Sequence, residues 1–258
     1  MTLTSCWCSP TGSSSKSFVL FNGKTSLTTI ALSGDGLGKF SRQPCNDLLS
    51  NYKDNVVRPV LPEGLPERRK IEHRIDVNDP NLAMYRRQLR QSPAQQREIV
   101  LWVTDMVTKK LIRPTVVWRI VHDCRYLNSN TIRQSIPMTR KEDILNAMSG
   151  AYWFSTMDLM SAYYQVRMRE KDIKFTAFQV PNGLWEYLVL PKGVCNAPAT
   201  MHRLMLKIFR NLKDTKSFYD MTVLRETLDI LRDNKLYVKL SKNAFCAEEI
   251  PCLGDFVG

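Results

Sequence analysis

The chain has 258 residues, 43% apolar and 24% charged, which is ordinary globular composition and enough to bury a core in one large domain or two small ones. Its 37 Lys and Arg against 25 Asp and Glu give a formal charge of +12, a surplus that suits a polyanionic partner, most simply nucleic acid, and one shared by ribosome-like and membrane-surface proteins. No apolar run approaches membrane-spanning length and no basic segment followed by an apolar core opens the chain, so a soluble, intracellular protein without a membrane partner is expected.

Residues 1–55 are rich in Ser, Thr, Gly and Asn without a sustained period, and a poorly ordered leader is expected there. Within it, Gly34-Asp35-Gly36-Leu37-Gly38-Lys39 imitates a phosphate loop but lacks the glycine spacing and the hydroxyl residue after the lysine, so it reads as a flexible turn. Residues 56–117 read as a linker and a first helix. Leu61-Pro62-Glu63-Gly64-Leu65-Pro66 is extended, and Ser92-Pro93 supplies an N-cap and a first-turn proline. Ile99, Val103, Met106 and Val107 share one face of that helix, which is expected to stop at Arg113-Pro114. Further along, residues 118–122 and 152–157 read as strands and 141–148 as a helix. Residues 175–180 and 185–190 alternate around Asn182-Gly183, a hairpin signal. Helices are expected from Asn196 to about residue 212 and over 222–234, with short strands at 236–240 and around Phe245 and Leu253. Strands and helices mix without βαβ alternation, so the fold class is α+β. The seven cysteines lack paired zinc-site spacing and read as free thiols in a reducing compartment.

Chemistry concentrates around Phe154-Ser155-Thr156-Met157-Asp158-Leu159, an apolar strand-like run ending in one carboxylate. Asp158 can hold a divalent cation there, with the backbone carbonyl of Leu159 as a second oxygen ligand. Taken alone, an Asp at a strand end is more often a turn former or helix cap. Tyr163, just beyond, can lie flat under a sugar ring. Other stretches surround this one in order: Trp118-Arg119-Ile120-Val121-His122-Asp123-Cys124-Arg125-Tyr126-Leu127-Asn128, then Lys174-Phe175-Thr176-Ala177-Phe178, then Leu190-Pro191-Lys192-Gly193-Val194-Cys195-Asn196-Ala197-Pro198. The last is Lys235-Leu236-Tyr237-Val238-Lys239-Leu240, leading to Phe245-Cys246 and Leu253-Gly254.

Together these stretches closely resemble the reverse transcriptase of gypsy-type LTR retrotransposons over about residues 61–258. The resemblance implies a polymerase palm, an antiparallel sheet backed by helices, over residues 118–258 with partial fingers. It implies an RNA-directed DNA polymerase that binds an RNA or DNA primer-template and deoxynucleoside triphosphates, with Mg2+ or Mn2+ as cofactor. Two-ion nucleotidyl transfer needs carboxylates from more than one chain segment. Asp158 and Asp220 match the catalytic, metal-binding aspartates, with Leu159 beside them, and neighbouring strands are expected to carry the pair. Arg119, whose fork suits a triphosphate, Tyr163, at the position that excludes a ribose 2′-hydroxyl, and Gly193 match nucleotide-binding positions. Asp123 and Arg125 are expected to brace the fingers, Phe175, Phe178, Trp185 and Tyr187 to be core, and Leu253-Gly254 to grip the primer end.

The chain also departs from the family. Where relatives place a two-stranded basic hairpin between Pro114 and Trp118, only Thr115, Val116 and Val117 remain, too few for two strands and a turn. At the second metal site Asp220 is followed by Met221, a thioether with little affinity for magnesium in the place of an aspartate. Asp229 belongs to the downstream helix and does not replace it. Lys192 stands where relatives often carry Phe or Gln. The sequence stops just past the primer-grip match, so a polyprotein fragment with reduced fingers and no thumb is expected, inactive as written and impaired in metal binding. Two alternatives stay open: a non-catalytic nucleic-acid-binding remnant, or a mis-spliced or pseudogene product.

Overall fold

The computed structural model describes residues 18–22, 26–32, 43–81, 91–115, 124–135, 142, 153–210, 221–247, 249–252 and 255–257. The chain divides into two compact units, one of residues 1–61, 136–160 and 202–258, the other of residues 62–135 and 161–201. In chain order the elements are β1 (Phe18–Asn22), β2 (Ser26–Leu32), α1 (Gln43–Asn51), α2 (Pro93–Thr108), β3 (Ile112–Pro114) and α3 (Arg125–Asn130). There follow β4 (Trp153–Asp158), β5 (Phe178–Val180), β6 (Gly183–Tyr187), α4 (Ala197–Ile208), α5 (Met221–Asp233), β7 (Ala244–Ala247), β8 (Ile250–Cys252) and β9 (Asp255–Val257). All strand pairs among the described residues are antiparallel, as an α+β chain requires. Gly34 to Lys39, the expected strand at 118–122, the expected helix at 141–148 apart from Glu142, and Leu253-Gly254 lie outside the described residues.

In the first unit the sheet order is β1-β2-β4-β7. The stretch expected to be an unstructured leader contributes half of this sheet: β2 pairs along the length of β4, from Ser26 opposite Asp158 to Leu32 opposite Trp153. An isolated two-stranded hairpin is marginal in water; here a third strand extends it, which local composition does not reveal. On the other edge of β4, the hydroxyls of Ser155 and Thr156 accept hydrogen bonds from the amides of Cys246 (3.0 Å) and Ala244 (3.3 Å). These side-chain oxygens accompany the register shift between Phe154 and Thr156.

Helix α1 buries Cys45 and Leu48, and Tyr52 beyond it donates its hydroxyl to Asp229 of α5 (2.7 Å). Arg232 pairs with the same carboxylate at 2.8 Å and lies over the Tyr52 ring. Burial first, then the Asp229 bond, push the Tyr52 hydroxyl up to about 12. Leu224, Leu228 and Leu231 form the fully buried stripe of α5, the i, i+4, i+7 face of an amphipathic helix. The strand expected at 236–240 is not formed. Instead Val238 donates to the Val56 carbonyl (2.9 Å) and accepts from the Arg58 amide (3.0 Å) as an isolated bridge, and a 3₁₀ turn follows at Leu240–Lys242.

His202 in α4 is 8% exposed, and burial holds its pKa below the ordinary histidine value. The unfolded chain therefore binds the proton more readily, so stability is full above the unfolded pKa and falls as pH drops from it through the lower folded value. The melting temperature is expected to fall between pH 7.5 and pH 5, and His202→Gln to flatten that slope; an unchanged slope in the variant contradicts the assignment.

In the second unit α2 starts as expected. The Ser92 hydroxyl accepts from the Gln95 amide (3.3 Å) and the Gln95 side chain accepts from the Ser92 amide (2.9 Å), a reciprocal capping box. The helix ends earlier than Arg113. Lys110 turns left-handed (φ 56°), its amide bonds Val107 and that of Leu111 bonds Met106, a Schellman ending made without glycine. The chain then leaves as β3, whose Pro114 ends the strand at a sheet edge. Strands β3-β6-β5 make the sheet. The hairpin forms, but Val180 opposes Gly183, so Pro181 and Asn182 are the loop, and Gly183 opens β6 at φ 137°. Phe175 is not in the strand. It is buried within a 3₁₀ segment, Glu170–Thr176. Val103, Met106, Leu111, Ile112, Phe178, Val180 and Val189 form the core, with Trp102, Tyr164, Trp185 and Tyr187 packed partly buried around it. Asp172, 3% exposed, ties the chain around Ile75 to the 3₁₀ segment within this unit. It accepts from the Ile75 amide (3.0 Å) and from Arg169 (2.6 Å), and Arg169 reaches on to Asp76 (3.3 Å).

Candidate functional site

Asp158 is the last residue of β4, and its backbone amide donates to the side-chain oxygen of Asn243. Asn243 in turn donates to the Lys239 carbonyl (2.9 Å), so one asparagine ties the end of the strand to the 3₁₀ turn. The Asp158 side chain is half-buried, with Oδ1 closed off from solvent. Leu159 is 2% exposed and its backbone bridges Val238. The strands beside β4 are β2 and β7. The strand expected to carry Asp220 beside Asp158 falls outside the described residues. Asp220 itself lies outside the described residues, as do Arg119 and Asp123. Met221 opens α5, close to where the helix over 222–234 is expected.

An aspartate and a neighbouring backbone carbonyl suit one hard divalent cation. A two-ion centre asks for more. Among the described residues no group of three or more His, Cys, Asp or Glu side chains is placed to hold a metal.

Tyr163 and Gly193 belong to the other unit. Ser161 adopts a left-handed conformation (φ 45°) and starts the 3₁₀ turn Ala162–Gln165, in which Ala162 and Gln165 are buried and Tyr163 half-buried. Burial raises the Tyr163 hydroxyl above its ordinary pKa, so it stays a neutral phenol through the physiological range. Gly193 has φ 96°, and a Cβ there meets Cys124 Sγ at 3.4 Å. Glycine is thus required by backbone conformation, while the space beside it would admit a Cβ in ordinary contact with the sulfur.

Two asparagines hold this loop. Asn128 of α3 donates to the Gly193 carbonyl (2.8 Å) and accepts from the Cys195 amide (2.9 Å). Asn196 donates to the Ile132 carbonyl (2.8 Å) and accepts from the Gln134 amide (3.1 Å). Each side-chain amide therefore bonds residues n and n+2 of the opposing segment, as the backbone of an added strand does. Sequence reasoning missed Asn128, Asn196 and Asn243. The first two stand inside the motifs quoted above, but an asparagine in sequence announces only a cap or a turn.

A sequence model of the family described as "Reverse transcriptase (RNA-dependent DNA polymerase)" matches residues 107–225. Among curated proteins, the chain is 31% identical over 211 residues to the retrovirus-related Pol polyprotein from transposon 297 of Drosophila melanogaster, covering 69% of this chain and 20% of that protein. It is 28% identical to the corresponding polyprotein from transposon opus of the same organism, over 82% of this chain and 24% of that protein. A putative enzymatic polyprotein of Cassava vein mosaic virus is 30% identical over 53% of this chain and 23% of its own length. The chain thus spans about a fifth to a quarter of these relatives. Among solved structures, the foamy viral protease-reverse transcriptase in complex with RNA/DNA hybrid superposes with a TM-score of 0.72 at 17% identity, over 86% of this chain and 33% of that one. At that identity the likeness shows a shared fold.

Proposed function

This chain carries a reverse transcriptase domain, and from that premise we propose that it is the RNA-directed DNA polymerase segment of a gypsy-type LTR retrotransposon polyprotein, a two-metal nucleotidyltransferase by descent that does not turn over as written. The observation that carries the reading is Asp158 at the end of β4, inside the family match and held by Asn243. In this reading Asp158, the Leu159 carbonyl and Asp220 are the metal-binding set, with Asp158 and Asp220 as the catalytic pair. Arg119, Tyr163 and Gly193 receive the incoming deoxynucleoside triphosphate.

When bound, magnesium or manganese supplies charge stabilisation for nucleotidyl transfer. Met221, standing where the family carries a second aspartate, leaves this set one carboxylate short of what a pair of ions asks for. At most one ion is held, between Asp158 and its neighbours. The fingers are reduced, since three residues stand between Pro114 and Trp118, and basic groups over the triphosphate are lost with them. The chain's own residues still do part of the work: the positive surplus binds the primer-template backbone, Tyr163 presents a neutral aromatic face, and Gly193 keeps its loop free of a side chain. The same Met221 observation favours a second reading, a binding remnant without chemistry, which shares the nucleic-acid surface and differs only in turnover.

Binding to a primer-template is expected to be largely independent of sequence and to weaken linearly in a plot of log affinity against log salt, because released counterions supply most of the free energy. Fluorescence anisotropy with a labelled RNA/DNA duplex checks this. Absence of binding at low salt, or affinity unchanged at high salt, contradicts it.

A further inference from the structure

The loop of residues 190–196 is secured from both sides. Asn128 spends both its amide groups on Gly193 and Cys195, and Asn196 returns the same bidentate pattern to Ile132 and Gln134. Cys124 Sγ, one residue before α3, approaches the Lys192 carbonyl at 3.9 Å and lies 3.4 Å from where a Cβ on Gly193 would be. Asn196 is 3% exposed, whereas Asn128 is only half-buried. A half-buried amide that gives both its polar ends to one loop is arranged for geometry more than for bulk packing. Gly193 needs that restraint. At φ 96° it occupies a region glycine enters without a steric barrier and leaves as easily, so nothing intrinsic to the residue fixes its turn.

We propose that Asn128 is the positioning residue that locks the Gly193 turn, acting through the Gly193 carbonyl and the Cys195 amide, and that the shape of the loop offered to a deoxynucleoside triphosphate depends on it. The second half rests on the nucleotide-binding reading of Gly193 given above; the first half does not. Removing the side-chain amide frees residues 192–195 to sample other conformations while the rest of the unit keeps its core.

The cysteines provide the readout. Cys124 and Cys195 are half-buried on either side of the bond network, and Cys45 and Cys246 are buried in the other unit. Burial holds the Cys195 thiol above its ordinary pKa, so its alkylation starts slow and has room to rise. Iodoacetamide labelling of the full chain, followed peptide by peptide by mass spectrometry, is expected to quicken about tenfold at Cys195 and Cys124 in Asn128→Ala, as loss of two neutral hydrogen bonds allows. Cys45 and Cys246 should keep their rates. Asn128→Asp, which keeps the acceptor for the Cys195 amide and loses the donor to Gly193, should fall between the two. With dTTP and magnesium as the probe, the dissociation constant should rise about tenfold in Asn128→Ala while duplex affinity is unchanged.

Unchanged labelling at Cys124 and Cys195 in both variants overturns the proposal. Should Asn128→Ala also expose Cys45 and Cys246, the variant has unfolded and Asn128→Asp decides: local quickening supports the lock, and wild-type rates reject it. If wild-type protein binds no dTTP, the nucleotide reading of Gly193 fails, while the labelling result still decides whether Asn128 holds the turn.

Discussion

Phe178→Ala is expected to destabilise the second unit by about 3–5 kcal/mol, the range for emptying a buried aromatic site. Phe178 is 0% exposed, with ring centroids 4.9 Å from Tyr187 and 5.9 Å from Trp102. Those neighbours stand on β6 and α2, so the side chain joins helix to sheet. It sits on β5, an edge strand of three residues, and the backbone ladder there is too short to hold the hairpin by itself. A loss of this size is a large part of the roughly 5–15 kcal/mol that keeps a domain folded. Urea unfolding of Phe178→Ala and Phe178→Leu measures it, the leucine variant losing less. Leu101→Ala serves as control: Leu101 is 63% exposed, and its loss should stay within about 0.5 kcal/mol. Equal losses for Phe178→Ala and Leu101→Ala contradict the packing described here.

Arg169→Met is expected to cost about 3 kcal/mol, although Arg169 is itself partly exposed. The reason lies in its partner. The Asp172 side chain is 4% exposed and relies on Arg169 Nε at 2.6 Å and on the Ile75 amide at 3.0 Å. Removing the guanidinium strands a buried carboxylate, which is costlier than losing the pair as a unit. The double variant Arg169→Met/Asp172→Leu should therefore recover part of the loss, and the unfolding midpoints of the single and double variants test that order. A double variant that is worse than the sum of its parts contradicts it.

Local patterns carried the reading of this fold as far as local physics goes. The α2 cap was legible because Ser92, Pro93 and Gln95 act within one turn. Its end was not, since Lys110 in a left-handed conformation leaves no glycine to announce it. The hairpin after Phe178 was legible from its alternation, whereas Phe175 was assigned to the strand because the same apolar spacing also serves a 3₁₀ turn. The pairing of β2 with β4 depends on residues more than a hundred positions apart, and nothing in residues 18–32 alone distinguishes that hairpin from a flexible leader. At the candidate site the carboxylate of Asp158 was legible from its motif. The asparagines that hold the surrounding backbone were not, because their partners are backbone atoms from distant segments.

The most direct test of the central claim is primer extension on an RNA template with the purified chain, in magnesium and in manganese, beside Asp158→Ala. The account predicts that the wild-type chain holds the primer-template yet extends it no further than the variant, because Met221 leaves the metal cluster one carboxylate short. Extension that is robust in the wild type and lost in Asp158→Ala contradicts that claim and shows that another carboxylate completes the site.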